Sequence, residues 1–596
     1  MISLGCLALN FNIIFNIFTL FGGLAFFLYG MNVMSSGLEK LAGGKLEGLL
    51  KKMTSNPFKS LLLGAGITIA IQSSSAMTVM LVGLVNSGIM EIGQTVGVIM
   101  GSNIGTTLTA WLTSLTGIDS DVFLLKMLKP SSFSPIIAFI GIVISMTSHS
   151  DKKKSAASIM LGFAILMFGM NLMSDSVDGI DQIPGFRNIL VAFNNPLLGV
   201  LVGAVVTGII QSSAASVAIL QALAISESGI TFGMAIPIIM GQNIGTCVTA
   251  LISSIGVNKN AKKVAVIHVS FNVIGTAVCL ALYYGLDAVF DFVITDMPIN
   301  TYQIALCHMI FNVFTTAILL PFAKGLVKIA NIVIKTTDTE NVKGSFIDER
   351  LTATPSVAVA ECSSKVKEMA LIAKDAIVSS INILHDYDVQ KRDETLKNEE
   401  KLDYYEDKLS AYLVKISSMS LSSEDSFNVS KQLHTIGDFE RIGDHAVNLT
   451  KTADEIKTKG IRFSDEANRE IDTVSNALLE ILDITINSYV SDDVNLARKV
   501  EPLEQVIDGL ISEIKSNHIE RLQAGSCTIE LGFILSDMLT NFERVSDHCS
   551  NIAVAVIDAH KKSFESHKYL NKVKYSGNAE FEKEYLGYLD KYKLDI

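Results

Sequence analysis

The chain has 596 residues, 49% of them apolar, with a mean hydropathy of +0.40. A soluble protein of this length seldom reaches such values, so the composition points to a membrane class. Charge is unevenly spread: up to Ile334 there are 16 Lys+Arg and 13 Asp+Glu, and beyond it 32 and 47. Two regions with different solvents follow, and with a formal net charge of −12 nucleic acid is not an expected partner.

The first segment, "MISLGCLALNFNIIFNIFTLFGG", has no basic residue before Lys40. It lacks the positive n-region of a secretory signal and reads as a retained membrane helix. Cys6, Cys247, Cys279, Cys307, Cys362, Cys527 and Cys549 show no CxxC spacing, which argues against a disulfide framework or a zinc knuckle. Self-similarity is the stronger signal. Asn32 in "LYGMNVMSSGLEKL" answers Asn171 in "MFGMNLMSDSVDGI", the "NPF" at Asn56 answers the "NPL" at Asn195, and Gln72 answers Gln211, each 139 residues on. Asn103 in "IMGSNIGTTLTA" answers Asn243 in "IMGQNIGTCVTA" after 140. These anchors define a duplicated unit, about residues 11–117 and 155–256.

Charge orients the copies. Segment 11–36 is followed by Lys40, Lys45, Lys51, Lys52 and Lys59, whereas segment 155–177 is preceded by Lys152, Lys153 and Lys154 and followed by Asp175, Asp178 and Asp181. The positive-inside rule makes these helices run in opposite directions. Asp119 and Asp121 after the first NIGT segment, against Lys259, Lys262 and Lys263 after the second, repeat the reversal. Inverted-topology repeats are a transporter architecture, with substrate held where the copies meet. Spans at about 264–286 and 303–323 continue the pattern and leave the acidic C-terminal region in the cytoplasm.

Around "TIAIQSSSAMTV" and "TGIIQSSAASVA" the apolar runs are too short and interrupted for plain spans of about 20 residues. From Pro57 to Ser87 the chain fits a re-entrant hairpin of two half-helices broken at "QSSS", and such a break must line a cavity or lie buried in protein. Lone Ser and Thr residues in membrane helices commonly bond their own turn; two matching Gln-Ser-Ser segments argue for a ligand site. Gln72, Ser73, Ser74, Ser75, Gln211, Ser212 and Ser213 offer amide and hydroxyl donors, and half-helix N-termini add free N–H groups. That equipment suits a tetrahedral oxyanion. No Lys or Arg lies in these segments. Two helix ends supply roughly +0.5 each against about −1.5 to −2 for a phosphate-like group, so a bound cation would close the balance. Asn103, Thr106, Thr107, Asn243 and Thr246 supply oxygen for a hard cation, the alternative being Gly-Thr helix packing. These rules do not separate sodium from a proton.

With "QSSS"/"QSSA" and "GSNIGTT"/"GQNIGTC" paired in an inverted repeat, about residues 15–325 resemble the type II sodium/phosphate cotransporter family. The resemblance implies that the two turns bind inorganic phosphate and sodium and that transport proceeds by alternating access. Ala214 opposite Ser75 and Gln242 opposite Ser102 break the symmetry and leave the number of phosphate contacts and sodium sites open. "VIHVSFNVIGT" and "LCHMIFNVFTT" place His268 and His308 four residues before Asn272 and Asn312, on one helix face that reaches either a cavity or a neighbouring helix. Glu91 and Glu227, beside "SGI" turns, are expected at a water interface.

Residues 336–355 are polar and unpatterned and read as a linker. Six stretches with helical periodicity follow, about 358–388, 393–420, 426–457, 464–490, 494–524 and 526–560, giving two three-helix units. "DFERIGDHAVNLT" and "NFERVSDHCSNIA" place Glu440 with Asp444 and Glu543 with Asp547, four apart, each followed by His445 or His548. Like charges at that spacing repel unless neutralised, either by Arg441 and Arg544 or by a divalent metal. The pattern over about 355–560 is similar to the PhoU family, which implies metal binding at these residues and a role in regulating phosphate uptake. The tail, about 566–596, carries no legible signal.

The expected protein is all-α: a polytopic membrane domain over 1–335 with inverted repeats and re-entrant hairpins, a linker, and a cytoplasmic PhoU-like bundle over about 356–565. It resides in the cell membrane among lipids and moves inorganic phosphate with Na+, its C-terminal part a regulatory domain able to meet a cytoplasmic partner or a second copy. The alternatives are a phosphate exporter or another oxyanion transporter on the same scaffold, and a membrane-anchored phosphate sensor without net transport. No nucleophile with a base, P-loop or Walker lysine appears, so neither an enzyme nor an ATP-driven pump is expected.

Overall fold

The computed structural model describes residues 2–42, 56–117, 129–177, 194–225, 229–335, 346–561 and 579–594. Glu227 and the Lys and Asp residues that flank the repeats at 45–52, 119–121 and 178–181 lie outside them. By internal contacts the chain divides into two units, Met1–Val357 and Ala358–Ile596. Among the described residues the structure is helical, with a lone β-bridge between Thr231 and Pro298.

The first unit begins with α1 (Ile2–Ala42), followed by a pair of short helices, α2 (Pro57–Ile71) and α3 (Ser74–Asn86), and by α4 (Ile92–Ser114). Next come α5 (Pro130–Thr147), α6 (Asp151–Val177) and a second short pair, α7 (Pro196–Ile210) and α8 (Ser213–Ile225). After them come α9 (Phe232–Gly245), α10 (Cys247–Ser253), α11 (Lys259–Phe290), α12 (Thr301–Leu319) and α13 (Ala323–Val333). Among the described residues five helical stretches are long and apolar enough to cross a membrane: Ile14–Leu41, Asp151–Val177, Phe232–Ser253, Lys259–Phe290 and Thr301–Val333. The short pairs are not, since 15 residues of helix reach only about 22 Å against about 30 Å of hydrocarbon.

Local chemistry explains why both short pairs start alike. Asn56 Oδ1 accepts from Phe58 N (2.9 Å) and Asn195 Oδ1 from Leu197 N (3.0 Å), each an N-cap followed by a proline whose missing N–H costs nothing in the first turn. Packing repeats as well. A Cβ on Gly101 would lie 1.9 Å from Leu61 O, and one on Gly241 2.1 Å from Val200 O. The α2–α4 and α7–α9 pairs thus make the same backbone-to-backbone contact, which only glycine permits. α1 and α6, which carry Asn32 and Asn171, cross each other just as closely: a Cβ on Gly30 would meet Leu166 N at 2.3 Å.

The two short pairs open toward opposite ends of α4. Asn86, at the end of α3, lies five residues before Glu91 and the start of α4 and bonds Asn258 N at 2.9 Å. Just beyond α8, Ile230 O accepts from Ile299 N (3.0 Å), and Thr301 Oγ1 donates to Ser114 O at the far end of α4 (2.9 Å). Leu197 and Ile209 on α7, and Phe15, Phe18 and Phe21 on α1, are exposed, as apolar side chains facing lipid would be.

Residues 346–354, expected as unpatterned linker, are instead folded onto the first unit: a 3₁₀ turn, Glu349–Ala353, packs on α3 and buries Leu351 fully. Asp348, Arg350 and Leu351 find specific partners there, which polarity alone does not reveal.

The second unit contains α14 (Pro355–His385, its first three residues counted with the first unit), α15 (Val389–Ser417), α16 (Ser423–Lys459), α17 (Asp465–Ser491), α18 (Val500–Gln523) and α19 (Ile529–Lys561). α16 and α19, which carry the duplicated motif, pack against each other at its centre. Phe439 and Tyr489 meet edge to face with centroids 5.1 Å apart, and Phe542 is fully buried. The tail also belongs here. α20 (Ala579–Lys591) packs on α18, and Tyr588 and Tyr592 are buried with Tyr592 bonded to Glu480. The legible signal was an aromatic stripe, Phe581, Tyr585, Tyr588 and Tyr592, at helical spacing.

Candidate functional site

Each Gln-Ser-Ser segment forms a break between two half-helices, and both breaks have one backbone geometry. Gln72 and Gln211 take left-handed conformations, with φ of 56° and 58°. Each closes the preceding helix through its N–H, to Thr68 O and Thr207 O, both at 2.7 Å. The next residue then caps the following helix: Ser73 Oγ accepts from Ala76 N (3.1 Å) and Ser212 Oγ from Ala215 N (3.2 Å). A non-glycine residue at positive φ is uncommon and strained. Its appearance at both matching positions, where a side-chain amide is placed, is the kind of strain found at functional sites.

The breaks meet. Ser75 Oγ lies 3.4 Å from Gln211 O and 3.5 Å from Thr249 Oγ1. Together the turns line a cavity of about 210 Å³. Gln72, Ser73, Ser74, Ser75, Gln211, Ser212 and Ser213 all reach it, as do Ala214, Asn32, Thr106, Leu28, Met31 and Ile210. The volume is below the about 300–1,000 Å³ of pockets for drug-sized ligands, so it suits a small ion. The first residues of α3 and α8 both line it, so two helix N-termini with their partial positive charge are placed at the cavity.

The two glutamines differ. Gln72 is buried; its Nε2 donates to Ile69 O (2.7 Å), and its Oε1 accepts from Thr109 Oγ1 (2.8 Å). Gln211 is exposed to the cavity. A second asymmetry lies one layer away: Thr68 Oγ1 donates to Ser102 Oγ at 2.8 Å, while the matching Thr207 Oγ1 and Gln242 Oε1 are buried without a partner among the described residues.

Of the oxygen-bearing residues expected around a cation, Thr106 lines the cavity. Asn103 Nδ2 donates to Ile99 O (3.1 Å) and Asn243 Nδ2 to Ile239 O (3.0 Å), identical bonds in the two copies. Thr107 donates to Ile104 O and Thr246 to Asn243 O, so these hydroxyls are turned to their own helices. Asn32 is the lining residue that sequence reasoning passed over as a ligand, although its repeat with Asn171 marked it. His268, Asn272, His308 and Asn312 are buried outside the cavity. Asn272 Nδ2 donates to His268 O (3.1 Å) and Asn312 Nδ2 to His308 O (2.8 Å). Glu91 is exposed at the start of α4.

In the second unit the six residues expected to hold a divalent metal are not brought together. His445 Nδ1 pairs with Asn541 Oδ1 and His548 Nδ1 with Asp438 Oδ1, both at 2.8 Å, across the α16–α19 seam, with the rings 5.7 Å apart. The carboxylates turn to cations instead: Arg441 to Asp444 (3.4 Å), Arg544 to Asp547 (3.2 Å) and Lys515 to Glu543 (3.5 Å). Among the described residues no three His, Cys, Asp or Glu side chains form a metal-holding group. The arginine-balanced alternative fits this geometry, and a divalent metal site is not supported among the described residues. Glu440 carries the residual strain: burial, reinforced by Asp444, Asp403 and Glu406, pushes its carboxyl up to about 7. Burial lowers the pKa of His445. The signal for the seam was legible, since each histidine bonds the residue two before the glutamate of the other copy, the first letter of "DFER" or "NFER".

Comparison with known proteins agrees with both halves. A family model described as Na+/Pi-cotransporter matches residues 26–175 and 181–297, and one described as PhoU domain matches 366–453 and 471–556. "Uncharacterized protein YqeW" of Bacillus subtilis is 31% identical over 256 residues, 43% of this chain and 78% of its own. "Putative inorganic phosphate export protein YjbB" of Salmonella typhimurium is 21% identical over 555 residues, 92% of this chain and 99% of its own. "Sodium-dependent phosphate transport protein 2A" of Rattus norvegicus is 40% identical over 97 residues, 16% and 15% of the two chains. This chain is a membrane protein of the Na+/Pi-cotransporter family, a family of phosphate transporters, and it carries a PhoU domain behind its membrane helices.

Proposed function

We propose that the chain is a secondary transporter that couples inorganic phosphate to sodium, with the ion held between the two Gln-Ser-Ser turns. The observation that carries this reading is the pair of left-handed glutamine turns converging on one small cavity. In this reading Gln72 and Gln211 donate from opposite sides, the hydroxyls of Ser73, Ser74, Ser75, Ser212 and Ser213 complete the tetrahedral shell, and two helix N-termini offset part of the charge. Sodium supplies the remainder, with Thr106 beside the anion and Asn103, Thr107, Asn243 and Thr246 in the adjoining helix segments. The membrane copies are inverted and the second unit is cytoplasmic, where it regulates flux and does not build the site.

Labelled-phosphate accumulation in proteoliposomes, under an inward sodium gradient and under potassium alone, tests this. Sodium-dependent accumulation is expected; binding without accumulation would favour a sensor. The direction opposite to uptake is supported by one observation, the alignment along almost the full length of both chains with a relative named for phosphate export. Preloaded vesicles that lose phosphate faster under an outward sodium gradient would assign that direction.

A further inference from the structure

Among the described residues the first hairpin is tied down at its far end in a way the second is not. Asn86, the last residue of α3, is buried and makes three bonds with chain remote in sequence. Its Oδ1 accepts from Asn258 N (2.9 Å), its backbone O from Asn258 Nδ2 (3.0 Å), and its Nδ2 donates to Asp348 Oδ2 (2.5 Å). Asp348, 2% exposed, is held in turn by Arg350, through N at 2.9 Å and Nη1 at 3.2 Å, and Arg350 Nη2 donates to Ile255 O (2.6 Å). Leu351 is fully buried over Gly83, where any Cβ would come within 2.9 Å of it. In the second copy Asn86 is answered by Ile225 and Gly83 by Ala222; neither can reproduce these contacts.

We propose that residues 346–354 are a clasp, with Asn86 as its positioning residue, through which the C-terminal domain controls the phosphate turn. The proposal rests on the transport reading above. α3 is a single 13-residue helix, about 20 Å long; its first residues, Ser74 and Ser75, line the cavity, and its last is gripped by the clasp. Displacement at one end passes to the other, because a helix of this length moves as a rod. The clasp runs directly into Pro355 and α14, so a change in the domain that pulls on this segment acts on the first turn through α3, and also on the Ile255–Asn258 stretch that closes the second copy. Asn86 touches no substrate; it sets where Ser74 and Ser75 stand.

A reversible lock decides the matter. Leu351 Cγ lies 3.3 Å from the position of a Gly83 Cβ, which puts the two Cβ atoms within about 5 Å and so in reach of a disulfide. Full-length Gly83→Cys/Leu351→Cys, with the native cysteines replaced, is expected to cross-link on oxidation. Phosphate uptake should then slow by about tenfold while phosphate still raises the melting temperature, and a reductant should restore the rate. Equal uptake by oxidised and reduced protein, or failure of the pair to cross-link, would overturn the clasp. Asp348→Ala in the otherwise native full chain is the second arm. Phosphate affinity should stay within about twofold while the uptake rate changes; an unchanged rate overturns the proposal. If the parent protein itself moves no phosphate in either direction, the transport reading fails, and the clasp falls with it.

Discussion

Replacing each turn glutamine by alanine separates binding from scaffolding, because only one of the two is also a structural bond. Gln211→Ala removes a side chain exposed to the cavity and leaves the backbone bond to Thr207 O in place. Alanine tolerates the left-handed φ about as poorly as glutamine does, so folding stability should move by no more than a few tenths of a kcal/mol. The loss falls on phosphate: a hydrogen bond to a charged group contributes about 1.5–3 kcal/mol, or roughly 10- to 150-fold in affinity. Gln72→Ala loses the same donor and strands Thr109 Oγ1, buried and bonded to Gln72 Oε1 at 2.8 Å. That orphan costs a further about 1–3 kcal/mol of stability.

The assay is thermal unfolding of purified protein in detergent, with and without phosphate, beside labelled-phosphate binding. Saturation at about 100 times Kd stabilises a binder by about 2.7 kcal/mol. Gln211→Ala should keep the ligand-free melting temperature and lose most of the phosphate-dependent rise; Gln72→Ala should lose both. Parental affinity in Gln211→Ala would refute the shared site, and an unshifted ligand-free melting temperature in Gln72→Ala would refute the bonding assigned to Thr109.

Three further outcomes are expected. Glu440 has a folded pKa near 7 above its unfolded value, so its contribution to stability is full below about pH 4.5 and is lost as pH rises through 7. After discounting for solvent, Glu440→Gln should gain about 1–2 kcal/mol at pH 8 and nothing at pH 4 in urea unfolding of the full chain, and equal effects at both would remove the assignment. Single cysteines at Ile255 and Ile294, both exposed and near opposite ends of α11, should react with an impermeant thiol reagent from opposite faces of sealed vesicles; labelling of both from one face would exclude α11 as a membrane-crossing helix. Gly101→Ala drives a Cβ to within 1.9 Å of Leu61 O, and the forced backbone shift should cost about 1–3 kcal/mol, measurable as a lowered melting temperature.

The repeat, the broken hairpins and the seven cavity-lining residues of the turns were legible because each is written twice at nearly one offset. Duplication converts a weak motif into a positional statement, and Gln72 with Gln211 pointed to the two turns that line one cavity. What could not be read has a common cause. The clasp is made by Asn86, Asn258 and Asp348, far apart in the chain and present once, so no periodicity announces it. The histidines of α16 and α19 were read as partners of the carboxylates beside them in sequence, whereas helix geometry sends them across the seam to Asn541 and Asp438. On a helix, the residue next along the chain points about 100° away, and adjacency misleads there.

Departures from symmetry carry the functional argument further than symmetry does. Two perfectly equivalent turns would bind an anion equally from either side and give a regulator no purchase on one rather than the other. Here the first turn has a third hydroxyl, Ser75, where the second has Ala214, and a glutamine anchored by Thr109 where the second's glutamine is exposed to the cavity. The first is backed by a closed Thr68–Ser102 bond where the second leaves Thr207 Oγ1 and Gln242 Oε1 without a partner among the described residues. On the proposed reading the first is the fixed wall of the phosphate site and the second its adaptable one. The clasp grips the rod behind the fixed wall. On the same proposal, control applied there shifts the part of the site that the cargo would meet as a rigid surface, where a small displacement is not absorbed by rotamer changes and is expected to appear in the rate.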